Sequence, residues 1–269
     1  MSQPTFSPET RMAHEQVVAD FTLKVACPLV WFDRKAPWPK QVFGATCFFL
    51  LLNGGVVGVT AEHVIGAYEA AREANPRTVC CLREVPDFDL IGSIIDRDAV
   101  LDIATFRVAD SVLAAARILP LDCRGDWPPP EPDRNRALSL CGFPEAMRSA
   151  SAGAEVLFEA YGALAAVEDT TARDLIVTYD PERDQATKWA PAKPPLGLNL
   201  SGCSGGPVIM HFEKNGLCRW LPVALIVAGP RGLGEGVFAE ADVFRLRRIH
   251  TIMHDGRLNR EPDGGWLPG

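Results

Sequence analysis

The segment Gly202-Cys203-Ser204-Gly205-Gly206-Pro207, followed by the strand-like Val208-Ile209-Met210, is the stretch of this sequence best suited to covalent chemistry. A nucleophilic serine needs an exposed hydroxyl and nearby backbone amides that can receive an oxyanion. Small flanking residues let the chain turn tightly and let a substrate approach. Two other sites carry groups that could move or hold a proton. Thr60-Ala61-Glu62-His63-Val64 puts an imidazole at the end of an expected strand, and Leu101-Asp102-Ile103-Ala104 puts a carboxylate at the start of another. Taken singly, each has an ordinary reading: a turn, a structural histidine, an acid that begins a strand.

Two competing chemistries are weaker. Cys203 is itself a potential nucleophile, but the flanking glycines centre on Ser204, and a structural thiol is the better reading. His250 and His254 are one helical turn apart, a spacing that suits zinc. Thr251 stands where a metalloprotease needs glutamate, so a solvated or capping role is favoured and no metal site is expected. No cofactor motif is present either.

The elements that must carry these residues are mostly short strands. Phe21–Trp31, Gly44–Leu52, Val56–Thr60, Thr78–Arg83, Phe88–Ile95 and Ile103–Val108 are rich in Val, Ile, Leu and Phe and are separated by Gly, Pro, Asn or Asp. Val64–Ala74 reads as a brief helix. The run Trp127-Pro128-Pro129-Pro130-Glu131-Pro132 lies in Asp122–Asn135, which can be only a linker or a surface crossing. A second set of strands follows at Arg136–Cys141, Ala154–Tyr161, Asp174–Tyr179, Pro207–Phe212, Trp220–Ala228 and Gly236–Ala239. Ser7-Pro8-Glu9 opens a capped helix to about Asp20. A terminal helix is expected over Asp242–His254, with Val243, Leu246, Ile249 and Met253 on one face and Arg245, Arg247 and Arg248 in its middle. Periodicity alone allows either two barrels or a sandwich.

Composition excludes several function classes. The 269 residues are 47 % hydrophobic and 23 % charged, and mean hydropathy is close to zero, the profile of a soluble globular chain. A net charge of −7 without a basic run argues against nucleic-acid and anionic-membrane partners. No segment is apolar long enough to span a bilayer, and the N-terminus lacks the features of a secretory signal, so a cytoplasmic location is expected. The eight cysteines show no CxxC pair and no disulfide framework, so buried free thiols are expected.

Together, Thr-Ala-x-His, Asp-Ile-Ala and Gly-x-Ser-Gly-Gly-Pro, in that order, resemble the chymotrypsin/trypsin-like serine protease superfamily, in particular its bacterial trypsin-like peptidases. The likeness extends to Cys141-Gly142-Phe143-Pro144 and Gly236-Val237-Phe238, and covers roughly Phe21 to His254. It implies an all-β fold of two six-stranded antiparallel β-barrels, with a short N-terminal helix and a C-terminal helix. Residues 21–121 would form the first barrel, carrying His63 and Asp102, and residues 136–254 the second, carrying Ser204. It implies a serine endopeptidase in which Ser204 attacks the scissile carbonyl, His63 shuttles the proton and Asp102 orients the imidazole. The amides of Gly202 and Ser204 would form the oxyanion hole, and Val227-Ala228-Gly229 would pair with the substrate backbone. By the same likeness, the specificity pocket is built from about Leu198–Ser201, including Leu198 and Asn199, from Val227–Gly229 and from Gly236. With Leu198 where an acid would select Lys or Arg, an uncharged, small to medium or apolar residue is expected on the acyl side. A loop at Pro230–Gly234 that brought in Arg231 would favour an acidic one instead.

The sequence departs from the pattern at Cys203, where activated members carry an aspartate that pairs with a newly cut N-terminus, and at Val64, where a disulfide cysteine is usual. A site that forms without N-terminal cleavage follows. The partners implied are a protein or peptide substrate and a regulatory protein that gates activity. The alternative is an inactive or latent peptide-binding module on a protease scaffold.

Overall fold

Strand-forming residues divide into two groups about the proline-rich crossing, and the structure, a computed structural model, is mostly β in two corresponding units. It describes residues 17, 20–21, 24–38, 40–150, 156–178, 198–214, 217–229 and 243–260. The first unit contains β1 (Ala26–Asp33), β2 (Val42–Leu52), β3 (Gly55–Thr60), β4 (Thr78–Leu82), β5 (Ile94–Asp98), β6 (Ile103–Arg107) and β7 (Leu121–Asp122). They form one sheet in the order β4-β1-β2-β3-β6-β5, antiparallel throughout, with β7 added parallel to β2. Helix α1 (Glu62–Ala74) follows β3, α2 (Leu90–Ser93) precedes β5, and α3 (Asp110–Ala115) follows β6.

The second unit contains β8 (Ala137–Gly142), β9 (Arg148–Ala150), β10 (Val156–Phe158), β11 (Tyr161–Ala166), β12 (Asp169–Thr170), β13 (Asp174–Thr178), β14 (Pro207–Lys214), β15 (Leu217–Ala228) and β16 (Val243–Arg248). Seven of these make a sheet in the order β11-β8-β14-β15-β16-β13-β12, and β9 and β10 pair as a separate hairpin. Strand β11 approaches β13, so this sheet curls back on itself. Each main sheet thus has seven strands, not six, and neither hydrogen-bonded path is closed among the described residues.

Two main cores form, and the second sheet contributes to both, with Ile209, Leu225 and Val227 packed in the first. One core gathers Phe48, Phe49, Leu50, Ile65 and Phe106; the other gathers Leu138, Tyr161, Val208, Ile226 and Phe244. The first core also takes in Ile249, Ile252 and Leu258 from the end of the described chain. That segment crosses back onto the first sheet. Gly54 N–H donates to the His254 carbonyl at 3.1 Å, and Thr105 Oγ1 donates to the Gly256 carbonyl at 2.6 Å. Arg260 bonds both Asp96 and Asp98.

Three expectations about elements are corrected. Val243–Arg248 is a strand, not the start of a terminal helix, and the residues to His254 lie in turns. The helical reading rested on Val243, Leu246, Ile249 and Met253. In the strand, period two instead buries Phe244 and Leu246 and turns Arg245 and Arg247 the other way. Phe88–Ile95 is not one strand, because the Asp89 carboxylate caps the α2 turn by accepting from Gly92 N–H at 3.1 Å. The N-terminal helix runs past Asp20, since Phe21, Lys24 and Val25 are helical before β1 begins at Ala26. Its opening at Ser7, and the expected strand Gly236–Ala239, lie outside the described residues.

Candidate active site

Pairing in the first sheet brings His63 and Asp102 together. Strands β3 and β6 are antiparallel neighbours with Thr60 opposite Ala104, so the end of one strand lies beside the start of the other. His63 follows β3 in the first turn of α1, and Asp102 immediately precedes β6. The residue before α1 is Ala61, which has no side-chain oxygen to cap the helix. Asp102 supplies one from a distance in sequence: its Oδ1 accepts the His63 N–H at 3.0 Å. One carboxylate therefore caps the positive end of α1 and grips the imidazole. His63 Nδ1 lies 3.0 Å from Oδ1 and 2.9 Å from Oδ2. An ionised carboxylate can only accept, so Nδ1 carries the proton and Nε2 is left as the base.

Burial pushes the Asp102 carboxyl up, and the two His63 hydrogen bonds and the Arg247 charge outweigh it, so its pKa falls below the ordinary value. Asp102 sits at φ 52°, in the left-handed region that few side chains adopt. The turn is held from both sides. Asp98 Oδ1 accepts the N–H of Val100 and Leu101, both at 2.8 Å. From the second unit, Arg247 Nη1 donates to the Val100 carbonyl at 3.0 Å and also to that of Leu101, while its Nε bonds Asp174 Oδ1 at 2.7 Å.

Ser204 lies in the turn before β14. Gly205 N–H donates to the Ile226 carbonyl at 2.8 Å, and Ile226 N–H returns to the Gly206 carbonyl at 2.9 Å, tying this turn to β15. Only glycine fits at 205: φ is +83°, and a Cβ would stand 2.1 Å from the Thr46 carbonyl oxygen. Gly202 is likewise at φ +100°, with the Phe143 carbonyl oxygen 2.6 Å from where a Cβ would be.

Thr46, on β2 and fully buried, joins the Ser204 turn to the first unit. Its N–H donates to the Ser204 carbonyl at 2.9 Å. Its Oγ1 donates to the Gly202 carbonyl at 2.8 Å and accepts the Phe143 N–H at 3.0 Å. The Ser201 carbonyl accepts the Glu145 N–H at 2.7 Å. In a trans peptide the next N–H points the opposite way, so the Gly202 N–H is turned away from Glu145. Neither the Gly202 nor the Ser204 amide is hydrogen-bonded among the described residues. Two free N–H groups beside a serine can receive an oxyanion.

His63, Asp102, Gly202 and Ser204 all line one cavity of about 560 Å³ between the units. Val227, Ala228, Gly229, Leu200 and Ser201 line it too. Of the other expected binding residues, Leu198 is buried in the second core, and Asn199 accepts the Ser201 N–H through Oδ1 at 2.9 Å. Gly236 and Arg231 lie outside the described residues. Cys203 is 1 % exposed and packs in the second core, where burial, with Cys141 adding to it, pushes its thiol well up against the opposing Arg148 charge. That is the setting of a structural thiol. No hydrogen bond joins His63 to Ser204 among the described residues.

The sequence reading missed Thr46, Glu145, Arg245 and Arg247. Thr46 left a trace, as a polar residue entering an apolar strand. The arginines were hidden by the helical reading of their segment.

No protein-family model matches the chain, and no curated protein matches it. Among solved structures, human heparin binding protein is similar, with 11 % identity and a TM-score of 0.44 over 82 % of this chain and 86 % of that one.

Proposed function

We propose that the protein is a serine endopeptidase that hydrolyses peptide bonds of protein substrates through an acyl-enzyme. Ser204 is the nucleophile, His63 Nε2 takes its proton and returns it to the leaving amine, and Asp102 holds the imidazole and its cation. The Gly202 and Ser204 amides receive the oxyanion. The observation that carries this reading is one cavity lined by an Asp102-bound His63 from the first unit and by Ser204, beside two free amides, from the second. Because the Ser201 carbonyl is already drawn to Glu145, the oxyanion site requires no N-terminal cut to form. Incubation with a fluorophosphonate probe should leave one covalent adduct, mapped by mass to Ser204 and absent in Ser204→Ala. An unlabelled but folded protein, or an adduct on Cys203, would refute the proposal.

A second reading, an inactive peptide-binding module, draws support from the missing His63–Ser204 hydrogen bond. Catalytic bonds in ligand-free sites are often long and tighten when substrate binds, so the peptidase reading is preferred.

A further inference from the structure

Strand β16 turns its two faces to different tasks. Phe244 and Leu246 are buried in the second core, while Arg245 and Arg247 lie on the opposite face. Arg247 is fully engaged beneath the Asp102 turn. Arg245 lies opposite Ala228 of β15 and opens into the cavity that holds His63 and Ser204. Its guanidinium makes no ion pair or hydrogen bond among the described residues.

The other charges around this cavity are already committed. Asp102 is bound to His63, and Glu145 lies beside Arg148 at 3.9 Å. Among the described residues, the cavity therefore presents one unmatched cation next to Val227, Ala228 and Gly229, the stretch expected to bind a substrate backbone. A guanidinium offers a planar fork of donors that suits a carboxylate and repels an ammonium. A substrate that covers the opening would exclude water and strengthen that discrimination.

We infer that Arg245 makes this site selective for an acidic side chain, glutamate or aspartate, on the acyl side of the scissile bond. This rests on the peptidase reading and revises the expectation of an uncharged or apolar residue there. That expectation took the pocket's character from Leu198, which the fold buries in the core, and from Gly229, which lines the cavity, and Gly236, which lies outside the described residues.

The test uses the full-length protein and a peptide library in which the acyl-side residue is Glu, Gln or Lys and the other positions are randomised. Glu should exceed Gln by about tenfold in kcat/KM, with Lys lowest. Arg245→Gln should bring Glu and Gln to within about twofold, and Arg245→Glu should favour Lys. Gln or Lys cleaved as well as Glu by the wild type would overturn the inference, as would a Glu preference that survives Arg245→Gln. Binding to Ser204→Ala is the second readout. Calorimetry with N-acetylated peptides ending in Glu, Gln or Lys should show the same order, lost in Ser204→Ala/Arg245→Gln. Glu-selective binding without hydrolysis in the wild type would overturn the peptidase reading and support the role of Arg245. Hydrolysis without selectivity would do the reverse.

Discussion

Thr46→Val replaces one hydroxyl by a methyl at the point where the first unit grips the turn that carries Ser204, the proposed nucleophile. The backbone bond from residue 46 to the Ser204 carbonyl is unaffected. What is lost is Oγ1, and with it the bond to the Gly202 carbonyl at 2.8 Å and the bond from Phe143 N–H at 3.0 Å. Position 46 is fully buried, so the stranded carbonyl and amide cannot simply turn to water. Each unsatisfied buried group costs about 1–3 kcal/mol, which sets the loss at about 2–6 kcal/mol if neither finds a new partner. A domain of ordinary stability survives that and remains folded. The easiest relief is a shift of the Gly202 backbone, which also turns the adjoining Ser201–Gly202 peptide, and the N–H of that peptide is one of the two proposed oxyanion donors. Loss of one such donor costs about 10²–10³ in rate, so a loosened one should cost about tenfold to a hundredfold. The rate of fluorophosphonate labelling at Ser204 reads this without knowledge of the natural substrate, with urea unfolding alongside to measure stability. Thr46→Ser restores the hydroxyl and should recover labelling to within about threefold. If Thr46→Val labels at the wild-type rate, Thr46 does not hold the oxyanion loop. If Thr46→Ser falls as far as Thr46→Val, the effect is packing and the hydrogen-bond argument fails.

Arg247 and Arg148 have side chains of nearly equal burial, 8 % and 7 % exposed, yet they should respond differently to methionine. Arg247→Met leaves Asp174 and two carbonyls unpartnered and should cost about 3–5 kcal/mol in urea unfolding. Among the described residues, Arg148 Nε and Nη2 have no hydrogen-bond partner and only Nη1 bonds a carbonyl, that of Val42 at 2.9 Å, so Arg148→Met should cost less than half as much; equal losses would contradict this account. The melting temperature should fall steeply as pH drops below about 4. The Asp96 pKa is lowered chiefly by Arg260. For Asp98, burial works upward but is outweighed by the Leu101 and Val100 amides and Arg260, and Asp102 is lowered as described above. These carboxyls bind fewer protons folded than unfolded, so the stability they give is present above the unfolded value and lost as pH falls through the lowered folded values. A flat profile from pH 5 to 2 would refute it. Cys27, Cys47, Cys80, Cys81, Cys123, Cys141 and Cys203 are free and buried, and burial pushes Cys123 up to about 12. A thiol reagent should therefore leave all seven unreacted in the native protein and titrate them in denaturant; rapid native reaction at Cys203 would show that its turn opens.

The triad candidates were legible in the sequence because each sits at a junction that the sequence itself marks. His63 and Asp102 flank runs of β-branched and apolar residues, and glycines that tolerate positive φ bracket Ser204. Strand boundaries were legible for the same reason: Gly54-Gly55, Asn75-Pro76 and the proline-rich crossing interrupt apolar runs where the backbone must turn. What supports the triad was not legible, because it depends on contacts across the two units. Nothing local shows that Asp102 caps α1 from 39 residues away, or that the Thr46 hydroxyl lies between Gly202 and Phe143. The segment Val243–His254 shows the physical limit most clearly. Its apolar residues at 243, 246, 249 and 253 fit a helix, and those at 244 and 246 fit a strand; so short a run satisfies both periods. The choice is made by β15 on one side and β13 on the other, each offering an unpaired edge that a helix would have left buried and unsatisfied. Once β16 fills that gap, alternation fixes the rest. Arg247 must lie under the Asp102 turn, and Arg245, two residues earlier on the same face, must open into the cavity. The same tertiary pairing that overrides the local helical pattern thus sets both the support of the proposed catalytic aspartate and the charge that a substrate would meet.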